Sequence, residues 1–144
     1  MGTFRTFDHT ADMGLEVRGE SLADLLETAA RAVFSIIFDD GPREVAVEAD
    51  VALTPDASPG EELRELLVVW LQELLFRFET ERLVPLRFEF EEAAPSGVRA
   101  RVGFGRFDPE RDAARLEVKA VTYHELAIRE GPDGTWSAHM ILDV

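Results

Sequence analysis

Two carboxylates, an imidazole and a hydroxyl fall within Asp8-His9-Thr10-Ala11-Asp12, and no other stretch of the chain is as dense in groups that bind cations or move protons. Asp8 and Asp12 are four residues apart, which would put both on one face of a helical turn. In a loop each would instead fold back on its own backbone as an Asx turn. Either geometry can hold a hard cation, because ionised carboxylates offer only oxygen acceptors, and His9 would add affinity for Zn²⁺ or Mn²⁺. The competing reading is structural, with Asp8 or Thr10 capping a turn that Asp12 closes before a strand.

Two further groups belong with this stretch. Asp143 precedes the final Val144, so its carboxylate lies near that of the terminus, and like charges at that spacing are costly unless a cation sits between them. Met140-Ile141-Leu142 is too apolar to fray and holds these last residues on a sheet. Lys119 is the only lysine among 15 cationic side chains. Either it persists by chance, or it stands where a compact ammonium is needed and a guanidinium fork would not fit.

Composition bounds what such groups can do. At 144 residues the chain has the size of one domain, spanning 1–144, with 46% hydrophobic and 31% charged residues. The absence of cysteine excludes disulfides, thiolate metal sites and cysteine nucleophiles. A net charge of −14, with no cluster of Lys or Arg, argues against strong direct nucleic-acid binding and favours a basic protein partner or divalent cations. No apolar run reads as a signal peptide or membrane span, which makes the cytoplasm the default location and a membrane an unexpected partner. Asn is absent and Gln occurs once, at Gln72, a bias of thermophilic type.

The elements that position these residues follow from hydrophobic period. Gly14-Leu15-Glu16-Val17-Arg18-Gly19 alternates as a half-buried strand. Ser21 and Asp24 form a capping pattern for a helix with Leu22, Leu25, Leu26, Ala29, Ala30, Val33, Phe34 and Ile37 on its core face. Gly41, as a left-handed cap, and Pro42 should end it. Val45 to Leu53 alternate as a strand. Ser58, Pro59 and Glu61 read as cap, first position and capping acid of a second helix. That helix carries Leu63, Leu66, Leu67, Trp70, Leu71, Leu74, Leu75 and Phe78, a larger apolar face than the first, with Trp70 read as core.

Leu86 to Phe90 and Val98 to Phe104 predict a hairpin with ion pairs on its wet face, after which Gly103 and Gly105 loosen the pattern into a loop. Leu116 to Thr122 is the next strand, and His124–Arg129 with Thr135–Val144 form a last hairpin. The sum is an α+β domain: a mostly antiparallel sheet of about seven strands with two amphipathic helices packed on one face, a two-layer sandwich. If Leu15, Val17, Val118, Ala120, Ala138, Met140 and Leu142 face the helices, then Asp12, Lys119, His139 and Asp143 share the opposite parity.

Asp8-His9-Thr10-Ala11-Asp12-Met13-Gly14, Trp70 to Phe76, Val118 to His124 and Ile141-Leu142-Asp143-Val144 together resemble the archease family, in order and over essentially the whole chain. Met13 and Glu125 depart from the family's usual isoleucine and glycine. The resemblance implies an accessory protein rather than an enzyme, one that promotes guanylylation and multiple turnover of the RtcB-family GTP-dependent RNA ligase in tRNA splicing. It implies a divalent-metal site, with Ca²⁺ the expected ion and Mg²⁺ or Mn²⁺ alternatives. By position, Asp12, Asp143 and an oxygen of Val144 correspond to metal ligands and Lys119 to a lysine needed to activate the partner; Asp8 and His9 are candidates to support the ligands from behind. A second family role is as chaperone of a tRNA cytosine methyltransferase. The residues themselves leave two other readings open: a small metal-dependent hydrolase with His9 or His124 as base, and a purely structural acidic binding module.

Overall fold

The computed structural model describes all residues except Met1, Thr10 and Ala11, and the side chains of Asp8 and His9. Ser21 stands in extended backbone and its hydroxyl accepts the Asp24 amide, so the first helix, α1 (Leu22–Ile37), begins where the capping pattern predicts. The Asp24 carboxylate accepts the Glu20 amide at 2.8 Å, completing the cap one residue earlier than a regular box.

The end of α1 differs from expectation. Phe38 runs straight on in extended backbone as β3 (Phe38–Asp40), and Gly41 has no positive φ. Pairing with β7 (Ala113–Ala114) and the Arg115 amide on the Ile37 carbonyl, 2.7 Å, stop the helix by capturing its open end.

The second helix, α2 (Glu62–Glu81), begins later than its cap signal. Gly60 takes φ +91°, which no helix contains, so Ser58 to Glu61 close a turn (Glu61 amide to Ser58 carbonyl, 3.0 Å) before the helix starts. Trp70 is its anchor: fully buried, it donates its indole N–H to the Leu26 carbonyl of α1 at 2.9 Å. Its ring lies 6.1 and 5.5 Å from those of Phe88 and Phe90. The expected order of burial is reversed. α1 is enclosed on almost every side, Ala29, Ala30, Ala32 and Ile36 included, whereas α2 leaves Phe76 exposed. α1 packs against strands of all three sheets, α2 against strands of two.

The strands divide among three sheets, and each recorded pairing is antiparallel. The first sheet has the order β1 (Thr3–His9), β2 (Asp12–Gly19), β10 (Trp136–Asp143), β8 (Ala120–Val121), with β9 (Ala127–Glu130) also paired to β10. The second has the order β4 (Val47–Leu53), β6 (Gly97–Arg106), β5 (Leu83–Ala94), and the third is β3 with β7. The fold is thus α+β, two helices with mostly antiparallel sheets, around one hydrophobic cluster that runs from Leu15 and Val17 to Val102 and Phe104. No helix among the described residues is long and apolar enough to cross a membrane.

Gly103 and Gly105 do not end a strand but lie within β6. Gly103 sits between Glu48 of β4 and Arg87 of β5 in one rung, where Arg87 reaches Glu48 at 2.9 Å and the Val45 methyls occupy the space a Cβ would need. Beyond β6, Asp112 folds its carboxylate under the loop, taking two bonds of 2.9 Å from Arg111 and one from the Asp108 amide. The Arg111 guanidinium holds that carboxyl below its ordinary pKa.

Candidate functional site

β1 and β2 are the two arms of a hairpin, and the opening signature is spread over both. Asp8 and His9 end β1, Asp12 begins β2, and Thr10 and Ala11 lie outside the described residues. The helical-turn alternative for Asp8 and Asp12 therefore fails on backbone: both flank the hairpin connection in extended chain. His9 is the register partner of Asp12, while Asp8 pairs with Met13, one rung away.

On its other side β2 pairs with β10, and there Asp12 lies directly opposite Asp143. Antiparallel partners stand about 4.5–5.5 Å apart at Cα and face the same side of the sheet. The N-terminal signature and the penultimate residue are therefore immediate neighbours. β10 continues the rung to β8, where Asp143 pairs with Ala120, yet the amide of Lys119 also reaches the Asp143 carbonyl, at 2.8 Å. Two residues thus oppose one, as at a β-bulge. Lys119 is exposed beside Asp143.

That bulge corrects the parity reading. Val121, not Ala120, pairs with Leu142 and is buried toward α2, while Ala120 shares the Asp143 rung. Val118 is buried as expected. Only Ala120 and Val121 form strand where Leu116–Thr122 reads as one; an unbroken strand would put Lys119 and Ala120 on opposite faces, and the bulge removes that alternation.

Neighbouring contacts lock this end. The Phe7 ring lies over Gly14, so closely that a Cβ there would overlap it, in the rung Phe7-Gly14-Ile141, two rungs from that of Asp12 and Asp143 and of the same parity. Two rungs further, Arg5 grips Glu16 at 2.7 Å, and the His139 ring, 5.3 Å from Phe7, approaches Glu16 at 3.8 Å. On the far side Gln72 of α2 accepts the Val121 amide at 3.1 Å, and Thr122 bonds the Ile141 carbonyl at 3.0 Å. Tyr123 donates to Glu65 at 2.9 Å; desolvation, then that carboxylate, raises its phenol above the ordinary pKa. His124 lies in the turn before β9, with Glu125 3.1 Å away.

The sequence carries weak signs of these supports. β1 is missed because Thr3 to Thr6 are exposed on both faces of an edge strand, although Thr3-Phe4-Arg5-Thr6-Phe7 is rich in β-formers. Gln72 is signalled only by being the chain's single glutamine.

The donor set at this end is hard: two carboxylates, a Val144 oxygen and no sulfur. Among the described residues no three His, Cys, Asp or Glu side chains form a ready-made cluster. Asp12 and Asp143 are thus a pair rather than a closed cage.

The fold and this end define an antiparallel α+β protein whose two terminal segments bring like-charged acids together in one rung. The Archease protein family (MTH1598/TM1083) matches residues 4–144, and this chain belongs to that family. It is 34% identical to Protein archease of Pyrococcus furiosus, over 100% of both chains, and 37% identical to Protein archease of Methanopyrus kandleri, over 95% of this chain and 96% of that one. The solution structure of protein 1598 of Methanobacterium thermoautotrophicum is similar at a TM-score of 0.76 and 33% identity, covering 98% of each chain.

Proposed function

We propose that this chain is a non-catalytic accessory protein that activates a GTP-dependent RNA ligase of the RtcB family, promoting its guanylylation and repeated turnover in tRNA splicing. The observation that carries the reading is the pairing of Asp12 with Asp143, with the Lys119 amide on the same residue. Like charges opposite each other on a sheet are destabilising. A chain gains by such a pair only when something positive meets it.

Asp12, Asp143 and an oxygen of Val144 would hold a divalent cation, and their hard oxygen chemistry suits Ca²⁺, with Mg²⁺ or Mn²⁺ as substitutes. A cation held there supplies positive charge at the tip of the sheet. The two aspartates orient the tip, the Phe7-Gly14 contact fixes their register, and Lys119 offers an ammonium that meets a phosphate or offsets carboxylate repulsion at the partner's nucleotide pocket. Both ends of the polypeptide thereby enter the ligase together.

The test is ligation over many turnovers with Asp12→Ala, Asp143→Ala and Lys119→Ala protein. Each is expected to lose most of the activation while keeping its fold, and full activation by all three would overturn the reading. The isolated protein is expected to leave nucleotides and phosphoesters intact, which separates an activator from a metal-dependent hydrolase.

A further inference from the structure

We propose that the outer face of the first sheet carries a second site, for a single phosphate group, formed by Arg18, Ser137 and Arg129. The proposal stands independently of the ligase reading. Ser137 of β10 is the register partner of Arg18 on β2 and of Arg129 on β9, so the three form one rung on one face. Strands lie about 4.8 Å apart, which sets the two arginine backbones about 10 Å from each other with the serine hydroxyl midway. Two guanidinium forks reaching inward across that span meet over the serine, and a phosphate offers each a pair of oxygens.

The two cations are unlike most others in the chain. Ten arginines have a carboxylate within 4 Å: Arg5, Arg31, Arg43, Arg64, Arg77, Arg87, Arg99, Arg101, Arg111 and Arg115. Arg18 and Arg129, like Arg82 and Arg106, have none recorded among the described residues, although the chain carries 29 acids to 15 bases, and of these four only Arg18 and Arg129 flank one residue in a rung. Where acids are in such excess, two unpaired guanidiniums facing each other across one strand are not the outcome of shortage.

Of the acids that share this surface, Glu16 and Asp133 are already engaged. Glu16 is held by Arg5 at 2.7 Å. Asp133 accepts the Thr135 amide at 3.0 Å, a bond that holds its carboxyl below the ordinary pKa with a lesser contribution from Arg18. Glu130 belongs to the adjacent rung, of opposite parity, at the rim of the adjoining groove. The surface is concave: a groove of about 260 Å³ is lined by Arg18, Arg129, Ser137, His139 and Glu16, and an adjoining one of about 320 Å³ shares the first three and adds Thr135, Asp133 and Glu130. A net charge of −14 opposes tracking along a nucleic-acid backbone, so the site suits one phosphate held locally.

The experiment follows the arginine Nε–H resonances of the full-length protein as inorganic phosphate is added, then uridine monophosphate, then a short oligoribonucleotide. Arg18 and Arg129 are expected to shift on one saturable curve while Arg43, exposed and paired with Asp40, stays in place. Arg18→Gln or Arg129→Gln should weaken binding by about tenfold or more, as loss of charged hydrogen bonds implies. Arg18→Lys should weaken it too, because it keeps charge and loses the fork. Whichever of the three probes binds most tightly identifies the source of the phosphate. No shift with any probe, equal shifts at Arg43, or unimpaired binding by Arg18→Lys would each overturn the proposal. Asp12→Asn and Asp143→Asn should leave the titration unchanged, so the outcome is separable from that of the ligase assay.

Discussion

The outer faces of the two larger sheets are both charged, but they handle charge in opposite ways. On β4-β6-β5 the recorded cations meet acids: Arg87 with Glu48 at 2.9 Å, Arg101 with Asp50 at 3.1 Å, and Arg99 with Glu91 and Glu92 at 3.4 and 3.3 Å. On the first sheet the compensated group is the Arg5-Glu16-His139 rung in the middle. One end sets Asp12 against Asp143, and the other sets Arg18 and Arg129 astride Ser137. The first arrangement is a solvated surface, each exposed pair contributing at most about 1 kcal/mol. The second sets like charges side by side at two separate places.

The largest effect expected in stability lies on neither face but between them. Trp70 joins α1, through Leu26, to the aromatic face of β5, so Trp70→Ala should cost about 3–5 kcal/mol in urea unfolding. A loss below about 1 kcal/mol would mean the two sheets do not share a core.

Next in size is Glu125→Gly. Glu125 holds φ 54° at the turn leading into β9, a conformation costing a side-chain-bearing residue about 1–2 kcal/mol. The glycine variant should melt at higher temperature. If it does not, the strain is relieved by contacts of the glutamate.

The smallest effects carry the sharpest contrast. With chelator present, Asp12→Asn should raise stability by up to about 1 kcal/mol by removing like-charge repulsion, whereas Glu48→Gln should lower it by a similar amount at most. Opposite signs in chemical denaturation would support the distinction between the faces; the same sign in both would remove it.

Both helices, the β5–β6 hairpin and the parity of β2 and β10 were legible because each rests on a long periodic stripe. Asp12 and Asp143 fall on the outer parity for the same reason, yet parity says nothing of strand order, and only the pairing of β2 with β10 makes them neighbours. What could not be read were the features set by a partner strand. The bulge at Lys119 and Ala120 reflects how Asp143 accepts from β8, and the end of α1 reflects capture by Arg115. Gly103 reads as a loop signal until the Val45 side chain packed over it shows why this strand interior wants no side chain there. Ser137 carries no signal at all without its neighbours on either side.

The notch of Gly14 beneath the Phe7 ring has a consequence for how this molecule folds. A hairpin slipped by a single residue would turn Asp12 inward among leucines and Met13 out to water, and the aromatic ring would then find Met13 or Leu15 where only a bare Cα admits it. Mispaired chains are thus rejected twice, once by shape and once by electrostatics. A side chain at position 14 would disturb the rung of Asp12 and Asp143 while leaving both acids in the sequence.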